Sequence, residues 1–182
     1  MEKSLELIRF NVLRNALYHV ARRRSLERIN RLFNFMVVAL GTAAVADLVS
    51  LIDWRVPAEA FGAAIAIVGA LQLVFDFGRA ARDHQALQRE YYNLLADIEV
   101  VIAPDENQLA EWYSRMIRIT ADEPPSFKAI DAKAYNDAAD ALEFQRDQRL
   151  VVPWWHSVLG GVISFEGVEY PKASETKAPV AK

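Results

Sequence analysis

The 182-residue chain contains no cysteine. That absence excludes disulfides, thiolate nucleophiles and every cysteine-containing zinc or iron–sulfur site. Glycine and proline are sparse, seven of each. No phosphate-cradling glycine loop, nucleophile elbow or HExxH pair occurs among them. Charge of one sign is also lacking: 21 Lys and Arg against 24 Asp and Glu leave a net −3, which speaks against a globally basic nucleic-acid binder. Low-hydrophobicity disorder is excluded for the bulk of the chain, because 53% of its residues are hydrophobic.

What is present is unevenly placed. From Phe33 to Ile52 the only charge is Asp47, and from Ala60 to Phe75 there is none. A bilayer core of about 30 Å needs roughly 20 helical residues at about 1.5 Å each. The first run meets that length. The second reaches it when it extends from about Ala58 to Gly78. A short turn, Asp53-Trp54-Arg55-Val56-Pro57-Ala58-Glu59, joins them and carries an interfacial tryptophan. Buried helices of a soluble bundle are the competing reading.

Charge placement separates these readings. Lys3, Arg9, Arg14, Arg22, Arg23, Arg24, Arg28 and Arg31 precede the first run, whereas the turn holds only Arg55. The positive-inside rule therefore predicts a multi-pass membrane protein with both termini cytoplasmic and the turn outward. A cleavable signal peptide does not fit, because the first apolar run starts too far along and is too long.

Ala39, Ala43 and Asp47 recur at four-residue spacing, as do Gly62, Ala66 and Ala70. Small-xxx-small faces allow close helix packing, either within the hairpin or between subunits of a homo-oligomer. Asp47 is the one ionisable group well inside an expected span. It is either a pore or inter-helix polar residue, or a carboxylate near enough to the outer interface to reach water or Arg55. Arg22, Arg23 and Arg24 are candidates for contact with anionic lipid headgroups, or simply fix the topology.

The expected fold is all-α: a transmembrane helical hairpin (32–78) with a cytoplasmic helical bundle. An N-terminal amphipathic helix (1–31) carries apolar residues at Leu5, Ile8 and Val12, and at Phe10, Leu13, Leu17 and Val20. The second span is expected to continue without a break into the cytoplasmic region (79–145). There His84, Leu87, Tyr91, Leu94, Ile98 and Val101 form a heptad-like seam. That seam packs either on the N-terminal helix or on copies of itself. An inter-helix hydrogen bond is the ordinary role for His84 on such a seam.

Pro104-Asp105 ends this helix and starts another, with Asp105 and Gln108 placed as a capping box. After Glu123-Pro124-Pro125 a further helix is expected from about Ser126 to Gln145, with a thin alanine-rich face. Residues 146–165 contain a tryptophan-rich apolar segment, Pro153 to Phe165, too short to span and so either interfacial or docked. The composition of 166–182 suggests a loose tail.

His19, His84 and His156 are far apart in sequence, and none has a second metal-type ligand at helical spacing. The acidic residues around Asp97 to Glu123 read as a solvated face. No catalytic, cofactor or metal residues are assigned, and no enzymatic activity is expected.

Ala81-Arg82-Asp83-His84, Leu87, Arg89-Glu90-Tyr91-Tyr92, Leu94-Leu95 and Ile98-Glu99, following two spans and a short turn, make the chain resemble the SLATT-like bacterial two-transmembrane proteins. Glu123-Pro124-Pro125, Asp131 and Asn136 extend the resemblance, which covers roughly Arg14 to Leu142. It implies a membrane-perturbing, oligomeric effector in a bacterial conflict or phage-related setting, with no catalytic residues. The alternative is a non-enzymatic membrane anchor or scaffold that recruits a cytoplasmic protein partner. A soluble helical domain is the third possibility.

Overall fold

The computed structural model describes residues 4–45 and 58–176. The regular structure among these residues is helical, with no strand and a single isolated bridge, Leu150 to Lys172. Helix α1 runs Leu5–Val45, α2 Ala58–Phe75, α3 Phe77–Glu99, α4 Glu106–Ala121 and α5 Lys128–Ala141. Two short helices follow, α6 Trp154–Leu159 and α7 Ala173–Thr176. The described chain divides into two compact units: one from Met1–Arg23 with Asp83–Lys182, the other Arg24–Arg82. The division falls inside α1 and α3, several residues from the boundaries at 31 and 79 that hydropathy suggests.

In the first unit, the start of α1 is the central element. Ile8, Val12 and Ala16 pack against Leu87, Tyr91, Leu94 and Ile98 of α3 and against Trp112, Met116 and Ile119 of α4. Each large side chain buried this fully stabilises the unit by about 1.5–3 kcal/mol. The seam of α3 is thus covered within the chain, on the N-terminal helix. The other line of α1, Phe10, Leu13 and Leu17, faces α5, where Ala138 and Ala139 are buried and Tyr135 and Leu142 pack alongside. Alanine suits this role, since its small side chain lets the two backbones approach closely.

Local signals account for several ends. Asp105 accepts a hydrogen bond from the Gln108 N–H at 2.8 Å, and the Gln108 side chain accepts from the Asp105 N–H at 3.1 Å, a complete capping box. Helix α5 spans less than the expected 126–145, because Glu143 takes a positive φ of 57° and turns the chain. The Phe144 N–H then bonds the Ala139 carbonyl at 2.8 Å and the Glu143 N–H bonds Asp140 at 3.2 Å, a Schellman arrangement. The Phe144 ring stacks on Phe10 with centroids 5.3 Å apart, so the turn is also held by packing.

In the second unit, α2 does not continue uninterrupted. Asp76 adopts φ 36° between α2 and α3, and its Oδ1 accepts from the Arg79 N–H at 3.1 Å, capping the new helix. Aspartate tolerates the left-handed region better than most residues, so a helix break needs neither proline nor glycine here. Backbone bonds from Asp76 to Gln72 and from Ala80 to Asp76, both 3.1 Å, keep the helical path. Among the described residues one helical stretch, Ala60–Glu99, is long and apolar enough to cross a membrane. Its most apolar window has mean hydropathy 1.9, and none of that window is buried.

Composition suggested a loose tail from residue 166, but Glu166 to Thr176 folds back. The Val151 N–H bonds the Pro171 carbonyl, the Ala173 N–H bonds the Arg149 carbonyl, both at 2.9 Å, and Lys172 Nζ donates to Gln148 at 2.9 Å. These polar pairings override the weak apolar content of the segment.

Candidate functional site

A cluster of proton-bearing side chains lies inside the first unit where α1, α3 and the end of α4 meet. His19 continues the Ile8–Val12–Ala16 line of α1, and His84 opens the Leu87–Tyr91 line of α3. Both imidazoles are therefore carried into the interior by the same periodicity that buries their apolar neighbours. Their Nδ1 atoms are 2.7 Å apart, a hydrogen bond in which one ring donates and the other accepts. The His19 Nε2 is 3.3 Å from Glu123 Oε1, within ion-pair reach but without hydrogen-bond alignment. Glu123 also accepts a hydrogen bond from the Tyr91 hydroxyl, which lies 2.8 Å from the Thr120 hydroxyl. The Tyr91 ring stacks on His19 with centroids 5.6 Å apart.

One proton arrangement suits all of these contacts. With Glu123 as a carboxylate, His19 carries its proton on Nε2, toward that charge. Its Nδ1 then accepts from the Nδ1–H of His84. Burial lowers the His84 imidazole to about 4, reinforced by His19 and Arg22 and partly opposed by Glu123. Burial and the hydrogen bond to Glu123 push the Tyr91 hydroxyl well above its usual range. Tyr18 is likewise raised by burial, and its hydroxyl accepts from the Phe127 N–H at 3.0 Å. Among the described residues, no three His, Asp or Glu side chains converge as metal ligands.

The residues behind the family resemblance also acquire specific contacts. Arg14 grips Asp131 through two hydrogen bonds, one of them 2.9 Å from Nε to Oδ1. The buried Asn136 amide bonds the Leu150 backbone twice, donating at 2.9 Å and accepting at 2.7 Å. Of the seam residues, His84, Leu87, Tyr91, Leu94 and Ile98 are all buried.

Elsewhere the structure distributes the candidate residues differently. Arg22 turns inward rather than outward: its Nη1 donates to the Gly161 carbonyl at 2.6 Å, and its guanidinium sits 3.5 Å from the Phe127 ring centre. A carbonyl and an aromatic face hold it there, and burial lowers its pKa. Arg23 is half-buried and Arg24 exposed. Gly62, Ala66 and Ala70 are exposed, and a Cβ added at Gly62 would meet nothing among the described residues. Ala39 is exposed and Ala43 half-buried. Asp47 and Trp54 lie outside the described residues. Within the second unit, α2 meets α1 through a polar pair, Gln72 donating to Asn34 Oδ1 at 2.6 Å, and Phe33 of α1 packs against Phe77 at the start of α3 with centroids 5.3 Å apart.

Sequence spacing alone did not unite His19, Glu123 and Arg22 with their partners. A usable signal was there: both histidines fall on the apolar lines of neighbouring helices, where a polar side chain needs a buried partner. No family model, curated protein or solved structure matches the chain.

Proposed function

We propose that the chain is an integral inner-membrane protein and a membrane-perturbing effector of the SLATT-like kind. The apolar end of α1 and helix α2 form the two-span hairpin, and the first unit is its cytoplasmic helical body. Both termini are cytoplasmic, and the active form is a homo-oligomer in the lipid bilayer. It acts without catalysis, cofactor or nucleic acid.

The observation that carries this reading is the wholly unburied apolar window of Ala60–Glu99. An apolar core helix of a soluble protein is covered by its neighbours, whereas this one exposes Ile67, Leu73, Val74 and Phe75. Such a surface is costly in water and favourable in lipid. The Gln72–Asn34 amide pair adds support, because an interhelical hydrogen bond replaces the water that amides lack in a bilayer. The outward Gly62–Ala66–Ala70 face is open to a second copy.

One observation favours a second reading, a membrane anchor that recruits a cytoplasmic partner. The α3 seam is already covered by α1 and α4, so it is not free to zip subunits together. Reconstitution tests the two. Purified protein in dye-loaded liposomes releases the dye if it is an effector. Retained dye at confirmed insertion, together with a stoichiometric partner in detergent pull-downs, supports the anchor. Protein that stays soluble without detergent contradicts both.

A further inference from the structure

From Val151 to Phe165 the chain has no charged residue, and the structure gives this segment two unlike sides. The inner side is fixed. His156 is buried, with Nδ1 2.7 Å from the Tyr170 hydroxyl and its ring stacked on Phe165 at 4.0 Å. The Ser164 carbonyl accepts from the Lys128 N–H at 3.0 Å, and Arg22 holds the Gly161 carbonyl. Gly160 approaches α5 so closely that a Cβ there would sit 2.8 Å from Ala129 Cβ. The outer side is apolar and uncovered. Trp154, Val158 and Val162 are 78%, 69% and 70% exposed, and Trp155, Leu159 and Ile163 exceed 40%.

We propose that this face docks into the headgroup boundary of the bilayer that the same chain enters, an inference that rests on the membrane reading above. The apolar stretch is too short to span and is held against α5 at Gly160 and Ser164, which suits an interfacial element. Indole rings favour that depth, where the ring is buried and the N–H reaches water or headgroups. Arg22, which grips the segment, stands eleven residues before Phe33, where the apolar run begins. The exposed Arg24, two residues further along α1, suits an anionic leaflet, while the segment itself offers no carboxylate to be repelled. A second copy would cover the same side chains, yet a two-fold contact would bring like-charged arginines together.

The test uses the full chain in nanodiscs of phosphatidylglycerol and phosphatidylcholine, with and without bromine on the acyl chains. The signal is the tryptophan emission of the native chain minus that of its Trp154→Phe/Trp155→Phe variant. Docking predicts a blue-shifted difference spectrum that is largely lost in brominated lipid. Val162→Asp should restore a water-like, unquenched signal with helix content unchanged by circular dichroism. A water-like, bromine-insensitive signal from protein that resists alkaline extraction overturns the inference and leaves the membrane reading standing. A blue-shifted but unquenched signal that grows with protein per disc overturns it in favour of a second copy. Protein released by alkaline extraction overturns the membrane reading, and this inference with it.

Discussion

His19 and His84, 65 residues apart, share a hydrogen bond of 2.7 Å between their Nδ1 atoms inside a closed helical interface. They lie close to the places where α1 and α3 leave the first unit, at Arg23 and Asp83. The pair therefore clasps the two helices that continue into the apolar unit. Glu123 and Tyr91 complete the clasp from α3 and the turn after α4.

The clasp makes stability depend on pH. The folded His84 titrates near 4 rather than at its ordinary 6.5, so on acidification the unfolded chain binds this proton first. Its contribution is complete above about pH 6.5, falls progressively through the interval and is fully lost below about pH 4, a loss on the order of 3 kcal/mol. Thermal melts in detergent from pH 7.5 to 4 check this, and His84→Gln should flatten the curve. An unchanged slope in that variant would assign the dependence elsewhere.

Tyr91→Phe removes the hydroxyl that donates to Glu123 and pairs with Thr120, while keeping the ring stacked on His19. Losing a hydrogen bond to this half-buried carboxylate costs about 1–3 kcal/mol. Urea titration should show the loss, and a variant as stable as the native chain would mean that water replaces the hydroxyl.

Leu94 is fully buried among α1, α3 and α4, so Leu94→Ala should cost about 2–5 kcal/mol. Glu143→Gly should act in the opposite direction. It relieves a left-handed backbone position, φ 57°, that L-residues occupy at a cost of about 1–2 kcal/mol. Paired melts of the two variants check both signs.

How much of this was legible beforehand follows from which forces are local. The α4 capping box lay within four residues, and the lines of α1 and α3 within helical periodicity, so both could be read directly. The two lines of α1 even separate, Ile8 and Val12 toward α3 and α4, Phe10 and Leu13 toward α5. The break at Asp76 was missed because it depends on a side-chain cap rather than on glycine or proline. The clasp was missed for a different reason. His19, His84 and Glu123 are distant in sequence, and only the packing of three helices decides that they meet. Arg22 likewise turns inward because Phe127 and Gly161 happen to converge on it.

Topology gives a labelling prediction on a chain with no native cysteine. Cysteine introduced at Trp54 should react with an impermeant thiol reagent in intact spheroplasts, while cysteine at Ser4 should not. The reverse pattern would mean that the basic residues before Phe33 do not set the orientation.

The central proposal, that the chain acts by compromising the bilayer, is tested most directly by membrane potential. A potential-sensitive dye is followed in bacteria after induction, with inserted protein measured in the same cells. The account predicts depolarisation that rises with the inserted amount. A potential that stays intact at high inserted levels would contradict it.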